Sequence, residues 1–444
     1  MSCSPVRPFS VLVALFCLCS SSTVNAQTDY DGPPINYQSA PVDDAVARLK
    51  DALDRGERTL QWNDKNGWLS SILDALNVPA ESQTLVFSKT SLQISRISPR
   101  RPRALYFNDD VYVGWVQSGD VVELSAVDPQ QGAIFYTIRQ QPDSESAGRP
   151  TITRDPGHCN VCHASSRTQN VPGFLVRSTF PGRDGTPHYS LGTKTTDHTT
   201  PISDRFGGWY VTGTHGTMRH NGNAIADEDA TPAIDRDQGA NRTSLDEFID
   251  VDRYAAPGSD IVALMVLEHQ SQLHNAITKA NYEARRAAHQ DAVMNKLLGR
   301  DADYVSESHV RRIASVGDNL LDYLLFADEF VLTDPVIGDV KFQDKFLSRG
   351  KTDRQGRSLR EFDLRTRIFK YPCSYLIHSD SYQGLPTRVR DYVEQRLAMI
   401  LNGQDESGDF DHLDAATRQA IGQILADTLD GFADKLAETV GTSR

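Results

Sequence analysis

Residues 104–138 read ALYFNDDVYVGWVQSGDVVELSAVDPQQGAIFYTI. Four runs within this stretch, Ala104 to Phe107, Val111 to Val116, Val121 to Val127 and Ala133 to Ile138, are rich in β-branched and aromatic residues, as a half-buried strand requires. Asn108-Asp109-Asp110, Ser118-Gly119-Asp120 and Asp128-Pro129-Gln130-Gln131-Gly132 separate them. Connections this short join antiparallel neighbours, so the stretch predicts a β-meander. Upstream, Leu85-Val86-Phe87 and Leu92 to Ile97 read as two further strands.

Around the meander the period is helical. Val46, Leu49, Ala52 and Leu53 predict a helix over Pro41 to Leu53, and Trp68, Leu69, Ile72, Leu73 and Leu76 predict another over Gly67 to Leu76. Residues 27–40 read as an unstructured lead-in. From Ser259, a plausible N-cap, the apolar face of Val262, Val266, His269, Leu273, Ile277, Ala280, Ala284 and Ala287 predicts a helix to about Leu298. Further helices are expected over Glu307 to Phe330, Pro386 to Leu401 and Leu413 to Leu429, with 333–384 mixed. Residues 140–258 lack periodic apolar runs, and a stretch that long either wraps something or is disordered. The fold class is therefore α+β. The chain divides into 1–26, a helix and β-meander region over 27–139, an irregular segment over 140–258, and a helical region over 259–444.

The first 26 residues have the order of an export signal: basic Arg7, the apolar run Val11 to Cys19, and Val24-Asn25-Ala26 before the expected cleavage point. The periplasm or another exported location is the expectation. The formal net charge is −13. That balance argues against nucleic acid and anionic lipid as partners; it keeps the chain in solution and would suit a basic redox partner. Of the six cysteines, Cys3, Cys17 and Cys19 leave with the signal. Cys159, Cys162 and Cys373 remain, too few for a disulfide scaffold.

Two of those three stand in His158-Cys159-Asn160-Val161-Cys162-His163, which contains the CxxCH pattern of c-type haem attachment. Thiols at this spacing reach the two vinyl groups on one haem edge and form thioethers. The histidine that follows then offers a ring nitrogen to the iron. A zinc site would need two more Cys or His ligands nearby. A redox dithiol would sit between a strand and a long helix. A plain disulfide between Cys159 and Cys162 is the third alternative. The motif resembles the c-type cytochromes. Phe87-Ser88-Lys89-Thr90-Ser91, Pro102 to Asp110, Gly207 to Gly216 and Tyr371 to Tyr375 further resemble a group of uncharacterised exported bacterial proteins with a single CxxCH. That likeness spans most of residues 27–444 and carries no known activity. It implies one covalent haem c held by Cys159 and Cys162, with His163 as the proximal iron ligand.

The second axial position decides what such an iron does. His215, Met218 and His220 lie together in one stretch, and His269 sits near the centre of the apolar stripe of its helix. His274 lies about 140° from His269 around that helix and cannot share an iron with it. Cys373 reads as a buried free thiol. Arg96, Arg100, Arg101 and Arg103 either pair with haem propionates or form a solvated loop, the simpler account. Two functions follow as expectations. One is electron transfer with a redox partner protein. The alternative is a haem enzyme or small-ligand sensor, peroxidase-like, with an open distal iron site.

Overall fold

The computed structural model describes residues 30–141, 149–230 and 233–441. The expected export signal, residues 1–26, lies outside them. Residues 30–40 are not the unstructured lead-in that their composition predicts. Tyr30, Ile35 and Tyr37 are buried, and the Tyr37 hydroxyl donates to the Ala133 carbonyl at 2.6 Å.

Helix α1 (Ala45–Asp54) starts on Asp44, whose carboxylate accepts from the Val46 and Ala47 amides at 2.8 and 2.9 Å. The other oxygen accepts from the Tyr136 hydroxyl at 2.5 Å, so the cap also ties the helix to the sheet. Helix α2 (Leu69–Ala75) buries Leu69, Ile72 and Leu73.

Strands β1 (Thr84–Val86), β2 (Arg103–Phe107), β3 (Val111–Trp115), β4 (Val121–Asp128), β5 (Gly132–Arg139) and β6 (Ile152–Arg154) pair in sequence order; the first five lie in the expected meander, and β6 adds a strand from the segment expected to be irregular. Leu92 to Ile97 does not join the meander. Both edges of β1 are taken, by β2 and by a late strand at Trp209–Tyr210. The Gln93 side chain instead seals the β3–β4 turn, accepting from the Asp120 amide and donating to the Val121 carbonyl. Leu92 and Ile94 are left 65% and 52% exposed.

Helix α3 (Asn160–His163) is one turn long. Strands β7 (Val176–Thr179) and β8 (Thr193–Thr196) form a separate hairpin, and β9 (Trp209–Tyr210) closes the seven-stranded sheet against β1. Two residues are too few to show a period, which is why the sequence conceals β9. It follows Gly207-Gly208, where a Cβ on Gly207 would fall 2.2 Å from the Thr179 carbonyl oxygen.

Helix α4 (Ile261–Leu298) has 38 residues and runs about 57 Å through the molecule. Its cap is Asp260, not Ser259. The Ser259 hydroxyl is spent on the sheet, accepting from the Leu85 amide and donating to the Tyr210 carbonyl. From Ile261 to Thr278 every residue is buried, polar ones included, because the sheet, the irregular segment and the other helices surround this half. Several polar side chains there bind backbone: Gln270 the Asn108 carbonyl, His274 that of Asp109, Asn275 both polar groups of Phe174.

Helix α5 (Glu307–Leu324) stops short of the expected Phe330. Phe326 and Asp328 turn into the left-handed region, and His412 and His198 bind the Leu325 and Ala327 carbonyls. Helices α6 (Val340–Leu347) and α7 (Asp380–Gln383) punctuate the mixed stretch. Helices α8 (Thr387–Leu401), α9 (Ala415–Thr428) and α10 (Phe432–Gly441) finish the chain, the last of them unforeseen. The fold is α+β: an antiparallel seven-stranded sheet and a mainly helical C-terminal part.

Candidate functional site

Alternation gives the sheet two unlike faces. Ala104, Tyr106, Val111, Val113, Val122, Leu124, Ile134 and Ile138 point to one side and are buried under α1 and α2. The other side carries Phe107, Tyr112, Val127, Ala133 and Phe135 at one end. Toward the other end come Arg103, Leu105, Gly114, Glu123, Thr137 and Thr153. Phe174 and α4 cover the aromatic end. The polar end is less fully covered: Arg103, Leu105, Glu123 and Thr137 are partly exposed and Thr153 is exposed.

The CxxCH motif sits beside this second face. Asp155 accepts from the Gly157 and Cys159 amides at 2.8 and 2.9 Å and starts the turn. The Cys159 carbonyl accepts from the Cys162 and His163 amides at 3.1 and 3.0 Å. Helical spacing of three and four residues places Cys159, Cys162 and His163 on one side of α3. Cys159 is half-buried against Val127, Ala133, Phe135 and Phe174, whereas Cys162 and its neighbour Val161 are exposed, Val161 by 83%.

His163 is fixed through one nitrogen only. Nδ1 lies 2.9 Å from the Gly173 carbonyl oxygen and donates to it, and the Gly173 amide donates back to the His163 carbonyl at 2.8 Å. Gly173 has no room for a side chain: a Cβ would fall 2.1 Å from Asn275 Oδ1. Thus α4 holds the loop that holds the imidazole. The ring packs on Phe135 with centroids 4.9 Å apart. Its Nε2 makes no hydrogen bond among the described residues. Burial holds the imidazole below the usual histidine range, so the ring is neutral with Nε2 as its lone-pair nitrogen.

Among the described residues no group of three or more His, Cys, Asp or Glu side chains converges on a metal-sized space. The two thiols are unpaired. Burial, Asp155 and Glu123 push the Cys159 thiol up to about 12, the opposite of what an attacking dithiol needs. The zinc and dithiol alternatives therefore find no support in the geometry.

Haem fits better. Two unpaired thiols and an imidazole with its Nε2 unbonded share one helical turn, beside a sheet face on which Cys159 and His163 pack against Phe135. A buried guanidinium nitrogen on that face, Arg103 Nε, has no partner.

The expected distal ligands are not brought to this place. In His215, Nδ1 donates to the Met218 carbonyl at 2.8 Å and Nε2 accepts from the Asn241 amide at 3.1 Å. His220 packs on His215 with centroids 4.7 Å apart, and Met218 lies in the main apolar core. This cluster adjoins the start of α4, where Thr212 bridges to Asp260. The motif loop meets the helix at Asn275, about 20 Å further along its axis. His269 is buried with both nitrogens engaged, Nε2 with Ser374 Oγ at 2.9 Å and Nδ1 with His198 Nδ1 at 3.3 Å, and its ring stacks on Phe326. Cys373 is fully buried, its thiol pushed up to about 12. Of the arginine run, Arg96 pairs with exposed Asp120 and Arg100 binds the Phe248 carbonyl. Arg103 alone lies on the motif's side of the sheet.

Sequence reasoning did not single out Phe135, Gly173, Phe174 or Asn275, which position His163. Phe135 carried a weak signal, a large aromatic on the strand face that turns polar further along. No family model matches this chain, nor does any curated protein or solved structure.

Proposed function

We propose that this chain is an exported c-type haem protein: Cys159 and Cys162 bear one haem through thioethers, His163 Nε2 ligates its iron, and single electrons pass to and from a partner protein. The observation that carries this reading is the state of His163. Its Nδ1–H is fixed on a backbone carbonyl and its Nε2 is left free, as a metal-binding imidazole requires. When bound, the haem supplies a one-electron iron couple and, if its sixth position is open, a place for a small ligand.

The chain's own residues do the rest. The Gly173 carbonyl orients the imidazole and raises the basicity of Nε2. Phe135 and Phe174 exclude water from the inner side of the ring. The acidic surface favours a basic partner. No helix among the described residues is long and apolar enough to cross a membrane.

One observation favours a second reading, a haem enzyme or small-ligand sensor. His215, His220, Met218 and His269 all lie elsewhere, which leaves no protein ligand for the far side of the iron among these four. Optical spectra of protein made with c-type maturation test both readings. Haem that survives denaturation and is lost in Cys159→Ala/Cys162→Ala supports attachment; wild type without covalent haem overturns it. A six-coordinate, low-spin spectrum that ignores carbon monoxide favours electron transfer. A high-spin, carbon monoxide-binding spectrum favours the open site.

A further inference from the structure

We propose that Arg103 is the anchor for a haem carboxylate, holding a propionate through its Nε. The proposal rests on the haem reading above and adds a residue to it.

Arg103 opens β2 on the half-open face of the sheet. Its Nη2 donates to Glu123 Oε2 at 2.5 Å, with the two side chains only 18% and 15% exposed. The other Glu123 oxygen is taken by Gln93 Nε2 at 3.0 Å. Arg103 Nε makes no hydrogen bond to Glu123 and is buried without a partner. A buried donor left unsatisfied is destabilising, the more so when it is charged. An acceptor arriving with the cofactor removes that cost, and a carboxylate is the acceptor a guanidinium fork fits best.

Placement agrees. The guanidinium lies flat over Gly114 on β3, where a Cβ would fall 2.3 Å from Arg103 Nη2. His163 packs on Phe135 of β5, two strands from β3 and two residues along from the row of Gly114, which is about 12 Å at ordinary strand dimensions. Haem carries its carboxylates on the edge opposite the thioether edge. Arg103 and Glu123 are also close enough that their charges act on both Cys159 and His163. Glu123 then balances the guanidinium in the haem-free chain and orients it.

The test uses the holoprotein with haem carbon-13 labelled in its propionate carboxyls, read by redox-difference infrared spectroscopy and by the reduction potential. Arg103→Met is expected to retain covalent haem, shift a propionate carboxylate band and lower the potential, because a positive charge beside the iron is lost. Gly114→Ala keeps the charge but lifts the flexible guanidinium from the sheet, and is expected to shift the same band. Arg96→Met, whose partner Asp120 is exposed, should leave the band in place. Haem-loaded Arg103→Met with unaltered bands and potential overturns the anchor while leaving the attachment intact. Should Arg103→Met fail to fold, Gly114→Ala decides by the same criterion. Wild type without haem overturns both readings together.

Discussion

His163 and His269 look alike in one respect: each is a ring held by its neighbours on the aromatic side of a core. His163 stands at the rim of a sheet, one nitrogen on a backbone carbonyl and the other free. His269 stands in the middle of the helical core, both nitrogens on side chains and its face stacked on Phe326 at 4.0 Å. The difference teaches that ligand competence is not a property of histidine on a buried face. It requires one nitrogen held and the other left facing space. A histidine whose two nitrogens are both satisfied is a structural strut.

Replacing each histidine should have effects of different kinds. His163→Ala should reduce His-ligated haem by on the order of tenfold or more, read as loss of the ligated spectrum in purified protein. His269→Ala should leave that spectrum untouched but cost about 3 kcal/mol in urea unfolding, from a cavity plus two orphaned partners, His198 and Ser374. If the spectrum changed instead, the distinction between the two sites would collapse.

Gly173→Ala tests the coupling of the motif loop to α4. The new methyl collides with Asn275, so about 2 kcal/mol of stability should be lost and the Gly173 carbonyl should move off His163 Nδ1. A stable variant with a wild-type spectrum would show that the loop does not need this packing.

pH probes the same helix. Burial lowers the His274 imidazole to about 4 from an ordinary 6.5. Between those values the unfolded chain binds more protons than the native one, so this group's contribution is complete above pH 6.5 and is lost as pH falls toward 4. His274→Gln should therefore improve relative to wild type on going from pH 7 to pH 5, by about 1–2 kcal/mol in urea midpoints converted to free energy. Glu268, raised by burial to about 7, acts with opposite sign over the range below that value, so Glu268→Gln should give the reverse trend.

The smallest effect belongs to the thiols. In haem-free protein, exposed Cys162 should react with a thiol reagent first, half-buried Cys159 far more slowly and Cys373 only on unfolding. Cys373→Ala should cost about 1 kcal/mol.

The legible parts of the fold were those with a period. The meander and helices α1, α2, α4, α5, α8 and α9 all show one, and only their ends shifted, as where Asp260 displaced Ser259 as a cap. Leu92 to Ile97 had strand composition, but both edges of β1, the strand before it, are already paired. The strand β9, two residues long, had an edge but no period. In the site, the three motif residues were legible because a spacing of three and four residues puts them on one helical turn. The choice among His215, Met218, His220 and His269 was not, because it depends on where the fold puts each of them relative to the motif.

The sequence alone thus determined the α+β class, the order of elements and the grouping of Cys159, Cys162 and His163 on one helical turn. These depend on local period and on contacts a few residues apart. Only the tertiary structure decided that the turn lies against one half of a sheet face, that Gly173 and Asn275 orient His163, and that Arg103 alone of its run shares that face. These contacts join residues from ten to more than a hundred positions apart. Such contacts are set by packing and by the need to satisfy buried polar groups, which no local pattern records.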